Sequence, residues 1–132
     1  MRRRRCYSMS RSVLVVSRIL LVVVLAAVTY FSLTPSPPSG PDVSDKVMHL
    51  SAYIALAFLL VLSFQSRRFG LAQVIMLLAA IIAYGAAIEF VQRLTGRQFE
   101  VADMATNAVG AIVGAAIGMV ARRIIERRGK AD

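Results

Sequence analysis

Four apolar runs, at 12–33, 45–64, 71–94 and 101–124, take up most of this chain. Each approaches the ~20 residues an α-helix needs to cross the hydrocarbon of a bilayer. In that solvent a segment must satisfy its own backbone N–H and C=O groups, so runs of this kind fold as helices. Of the 132 residues, 58% are hydrophobic. A soluble domain of this size has too much surface to cover with the few polar side chains left. The sequence therefore predicts an all-α, polytopic membrane protein, a four-transmembrane-helix bundle.

The connections are marked by residues that stop helices. Thr34–Ser44 carries Pro35, Pro37, Pro38, Gly40 and Pro41, which cannot continue a helix. Ser44 reads as an N-cap, and Asp45 suits the positive end of the helix that follows. Gln65–Gly70 joins the second and third runs, and Thr95-Gly96 is a C-terminal stop for the third. Residues 1–11 form a basic tail and 125–132 a second one. A basic start before an apolar run also describes a signal peptide. This run is long enough to span, ends in no clear A-x-A site and is followed by further apolar runs, so an uncleaved first helix is expected.

Charge sets the expected topology. The net charge of +9 is gathered in blocks at Arg2–Arg5, Arg67–Arg68 and Arg122–Lys130, each bordering an apolar run. In a four-span model all three blocks fall on one side. The positive-inside rule then puts both termini in the cytoplasm and the loops after the first and third helices outside. This placement gives no reason to expect nucleic acid as a partner. Arg18, near the cytoplasmic end of the first helix, is expected to snorkel toward the headgroups. Tyr30, Phe31 and Phe90 would anchor at the outer interface. The single cysteine, Cys6, rules out an intrachain disulfide, and there is no Cys/His set of the kind that holds a structural metal.

Against this apolar background, the polar residues between Ile82 and Gly118, and a second group at Asp45–Tyr53, are costly choices. Residues three or four apart share a helix face. Asp45, His49 and Tyr53 form one such stripe, and Glu89 and Gln92 continue the line of Gly85. Asp103 and Asn107 head a third stripe that continues as Gly110, Gly114 and Gly118. In the four-span model all three polar stripes begin at the outer face. At ~1.5 Å per residue, His49, Glu89 and Asn107 lie at a shared depth of roughly 7–10 Å below their helix ends. The glycines form a repeated small-xxx-small face, which would lay the fourth helix flat against the third or the second. The expected product is a polar, outward-opening pocket.

The ordered pattern D-K-x-x-H-x-x-x-Y, then I-E-x-x-Q-x-x-x-G-R-x-F-x-x-x-D, then N-x-x-G-x-x-x-G resembles the VanZ-like membrane proteins, named after a teicoplanin-resistance protein. Here the matching residues are Asp45, Lys46, His49 and Tyr53; Glu89, Gln92, Gly96, Arg97, Phe99 and Asp103; and Asn107, Gly110 and Gly114. On this reading a VanZ-like domain occupies 34–124. The resemblance implies a small multi-pass protein of the bacterial cytoplasmic (inner) membrane, linked in its founding member to resistance to a lipoglycopeptide. It implies no stated activity.

The residues themselves admit several functions. As a binding module, the pocket would use Lys46, Arg97 and protonated His49 to hold a phosphate or carboxylate. Asp45, Tyr53, Glu89, Gln92, Asp103 and Asn107 would shape the site and accept the ligand's donors. The partner would be a membrane lipid, a lipid-linked envelope precursor or a glycopeptide, with no cofactor. As an enzyme, a hydrolase or transferase on a lipid-linked substrate, it would use His49 with Glu89 or Asp103 as acid and base. No obvious nucleophile stands out; Ser51, on the second helix near the site, is a lone helical serine. A metal on His49, Glu89 and Asp103 is a sparse set for zinc, and none is expected. Transport would require a homo-oligomer. A purely architectural polar lock is the remaining alternative, although desolvation of several buried ions offsets what their pairing contributes. The binding module is preferred.

Overall fold

The computed structural model describes residues 10–34, 45–65, 69–94 and 101–128. They form four α-helices: α1 (Arg11–Leu33), α2 (Asp45–Ser63), α3 (Leu71–Leu94) and α4 (Val101–Arg128). All four are long and apolar enough to cross a membrane. Large apolar side chains such as Val22, Ile75, Ile112 and Val120 stay exposed on the bundle surface. In a water-soluble protein a belt of this extent would be a liability; in lipid it is the expected outer face. Tyr30, Phe31 and Phe90 are exposed on it as well. The protein is a multi-pass membrane protein.

Contacts between the helices set their directions. The Arg18 guanidinium at the start of α1 donates to the Ser63 carbonyl at the end of α2, 3.2 Å away, so these two helices run antiparallel. The Thr29 and Tyr84 hydroxyls pair at 2.8 Å, and Gln92 Nε2 donates to the Ser32 carbonyl at 2.7 Å, so α1 and α3 run parallel. Helices α2 and α4 are also parallel, with Gly110, Gly114 and Gly118 seated against Leu50, Ile54 and Phe58. The topology is up-down-up-down. The ends of α1 and α3 and the starts of α2 and α4 therefore meet at one end of the bundle.

Of the two neighbours open to the glycine stripe, the structure selects α2. A Cβ added at Gly110 would sit 2.7 Å from the Leu50 carbonyl oxygen, and one at Gly114 would run into the backbone of Ile54. Without side chains between them, the two backbones approach closely, and van der Waals contact is the main attraction lipid leaves to helix pairs. Tyr53, Leu56, Ala57 and Val61 of α2 form the core with Val74, Leu77 and Ile81 of α3 and Ala111 and Ala115 of α4.

The opposite end holds a feature that the sequence pattern does not distinguish from a basic tail. Arg122, grouped with that tail in the sequence, is 3% exposed. One guanidinium nitrogen donates to the carbonyls of Val61 and Phe64, at 3.1 and 2.6 Å. Its Nε donates to Glu126 at 2.8 Å, and its plane lies 4.0 Å over the Phe69 ring. The last carbonyls of a helix have no partner within the helix and carry the negative end of its dipole. Among those of α2, Arg122 satisfies Val61 and Arg18 satisfies Ser63, while the Ser63 hydroxyl serves Leu60. The i,i+4 pair Arg122–Glu126 also carries α4 on to Arg128, four residues past the end of its apolar run. Arg18 thus reaches a protein carbonyl where the sequence suggested only headgroups.

Candidate functional site

Helical period explains why the polar residues converge. His49 and Tyr53 are one turn apart on α2, Gly85 and Glu89 one turn apart on α3, and Asp103 and Asn107 one turn apart on α4. Each pair points into the bundle. Exposure is 8% for His49, 1% for Tyr53, 1% for Glu89, 7% for Asp103 and 2% for Asn107.

Their atoms meet at close range. One ring nitrogen of His49, one carboxylate oxygen of Glu89 and one of Asp103 all lie within 4.8 Å of one another. His49 Nδ1 is 3.1 Å from Asn107 Oδ1. The amide oxygen only accepts, so Nδ1 carries the proton, and in the neutral ring the lone pair is left on Nε2. The Tyr53 ring lies beneath, its centroid 6.4 Å from that of Tyr84. Its hydroxyl is 3.0 Å from where a Cβ on Gly85 would stand, so a larger residue there would press the tyrosine aside by a few tenths of an ångström. Among the described residues, neither the Tyr53 hydroxyl nor Asn107 Nδ2 has a hydrogen-bond partner.

The other residues named from the sequence are placed differently. Gln92 is buried and donates to the Ser32 carbonyl, so its amide also docks α1 against α3. Lys46 is exposed in the first turn of α2, at the rim. Arg97, Gly96 and Phe99, the side chain of Asp45, and the proposed cap at Ser44 lie outside the described residues. Ser51 is exposed, and its hydroxyl donates to the Met48 carbonyl at 3.0 Å. Two residues on from His49 is about 200° around the helix, so Ser51 faces away from the cluster. The candidate hydroxyl for the enzyme reading is thus not in the site.

The arrangement places two carboxyls, an imidazole oriented by an amide, and two donors without a partner among the described residues in one small space. It can bind a cation, exchange protons, or hold a polar group that enters from the rim. No curated protein and no solved structure matches the chain. The model of the VanZ/LLP1 family matches residues 8–122, which takes in α1 as well as the polar stripes of α2, α3 and α4. Most of the chain is covered, and the chain belongs to the VanZ/LLP1 family.

Proposed function

We propose that this protein binds the head group of an envelope lipid or lipid-linked precursor, at a polar site that opens to the outside of the bacterial inner membrane. The observation that carries the reading is the convergence of His49, Glu89 and Asp103 from three helices to within 4.8 Å at one end of the bundle. Orientation follows from charge. Arg11, Arg18, Arg122, Arg123, Arg127 and Arg128 lie at the opposite end, whereas the site end has Lys46 and Arg93 among the described residues. Positive-inside then keeps both termini in the cytoplasm and turns the site outward. A site one to two turns below the helix ends is at head-group depth.

In this reading Lys46 at the rim meets the charged head group, and Arg97 and Asp45 are proposed to join it. Tyr53, Glu89, Gln92, Asp103 and Asn107 form the floor. A lipoglycopeptide seated in the membrane offers similar chemistry, and altered glycopeptide susceptibility would then follow from occupancy of the site. A second reading keeps one specific support. The Asn107–His49 hydrogen bond holds the imidazole as a general base would be held. With Ser51 turned away, water would have to be the nucleophile of such a hydrolase.

The test is native mass spectrometry of the detergent-solubilised protein, followed by incubation with extracted envelope lipids. Retained lipid that is lost in Glu89→Gln and Asp103→Asn variants of normal helical content supports binding. New lipid products would replace the binding reading with the enzyme. Equal retention in wild type and variants, or none in wild type, would reject it.

A further inference from the structure

We infer that His49, Glu89 and Asp103 bind one divalent metal ion, which supplies the positive charge a lipid phosphate would meet at the floor of the pocket. The part about phosphate rests on the proposed lipid binding; the metal site stands without it.

Size comes first. For three atoms no more than 4.8 Å apart there is always a point within about 2.8 Å of all of them. Zinc takes nitrogen and oxygen ligands at ~2.0–2.2 Å. Small side-chain rotations therefore close the set on an ion, whereas a phosphate does not fit between the three. The donor types agree. With one nitrogen the set is sparse for zinc, yet imidazole and carboxylate are both zinc ligands and carboxylates also suit manganese; three protein ligands leave coordination positions open for water or a phosphate oxygen.

The surroundings point the same way. Metal-bound histidines typically donate their other ring N–H to an oxygen, which fixes the tautomer. His49 matches this pattern, with Nδ1 donating to Asn107 Oδ1 and Nε2 left as the acceptor nitrogen of the ring. Asn107 Nδ2 and the Tyr53 hydroxyl are buried without a hydrogen-bond partner among the described residues. Buried donors left this way are costly and often mark a water, ion or ligand. Both belong to residues next to the three ligands, one turn along α4 from Asp103 and one turn along α2 from His49. A water or phosphate oxygen on the metal is the acceptor they would meet.

The experiment uses full-length protein in detergent, without a histidine tag, delipidated and stripped with a chelator. Zinc chloride is titrated calorimetrically. The expected result is one zinc per chain, with affinity lowered at least ~100-fold in His49→Ala, Glu89→Gln and Asp103→Asn, and ~10-fold in Asn107→Ala. Substoichiometric binding by wild type, or unchanged affinity in the two carboxylate variants, overturns the inference. Because a variant can lose its fold along with its metal, cobalt-loaded wild type provides a second reading. Strong visible absorption of four- or five-coordinate cobalt supports the site, and the weak spectrum of the hydrated ion refutes it. Lipid retained by chelator-treated protein that takes up no metal would sink this inference alone. Metal bound by a protein that retains no lipid would sink the lipid reading alone.

Discussion

Adding one methyl group at Gly114 tests whether the close approach of α2 and α4 holds the bundle together. The Cβ of Gly114→Ala would run into the Ile54 carbonyl oxygen and lie 2.9 Å from both Ile54 C and Ile54 Cα. Ordinary contact begins near 3.4 Å, so the helices must part by at least about half an ångström at the carbon atoms, and by more at the oxygen. All three obstructing atoms are backbone, so no rotamer change relieves them. Overpacking of this kind costs ~1–3 kcal/mol, and rigid neighbours place it at the upper end. Alanine returns up to ~1 kcal/mol through its better helix propensity. The net expectation is about 2 kcal/mol, roughly a 30-fold shift in the unfolding equilibrium. Reversible unfolding of the detergent-solubilised protein, followed by circular dichroism across a graded series, measures it. Gly110→Ala, with Leu50 O at 2.7 Å, should follow closely. Gly118→Ala, at 3.0–3.3 Å from Val61 and Phe58, should cost less, and Gly70→Ala, with only Gln73 Oε1 at 3.6 Å, almost nothing. A Gly114→Ala variant as stable as wild type, or a series with no such order, would refute the packing argument.

Other outcomes follow from the same contacts. Arg122→Ala strips donors from the Val61 and Phe64 carbonyls and a partner from Glu126; it should cost about 3 kcal/mol in the same assay, while Arg127→Ala, exposed on the last turn of α4, should change stability by under ~0.5 kcal/mol. Tyr53→Phe removes a buried hydroxyl with no hydrogen-bond partner among the described residues, so stability should hold or rise slightly while lipid retention falls about fivefold, the worth of one hydrogen bond; a large loss of stability would show that the hydroxyl serves the fold. Topology is checked with Cys6→Ser as background. Ser36→Cys should react with an impermeant thiol reagent added outside intact cells, and labelling only after lysis would reverse the orientation.

The sequence carried much of this architecture because lipid leaves a chain few choices. A segment near twenty apolar residues must be a helix, and its prolines and glycines end it, so α3 spans the 71–94 of its apolar run and α2 stops one residue short of the expected end. The polar stripes were legible for a related reason. Polar side chains are rare enough in such helices that their three- and four-residue spacing stands out, and His49, Glu89, Asp103 and Asn107 do converge. Ser51 is near the cluster in sequence but not in space, and its exposed position follows from the helical turn alone.

Arg122 shows the other limit. A basic residue after an apolar run has the same signature whether it faces lipid phosphates or the carbonyl end of a neighbouring helix. Only the parallel course of α2 and α4 brings Val61 and Phe64 within its reach. The i,i+4 partner Glu126 was the one local sign of it. The choice of α2 as the seat for Gly110, Gly114 and Gly118 was likewise open. A small-residue stripe states that some backbone comes close but not which one. Helix type, length and inward face are local properties, dictated by solvent and period, and the sequence alone determined them. Which faces meet, and therefore which buried polar atoms share one small space, depends on packing among all four helices and was decided only in the tertiary structure.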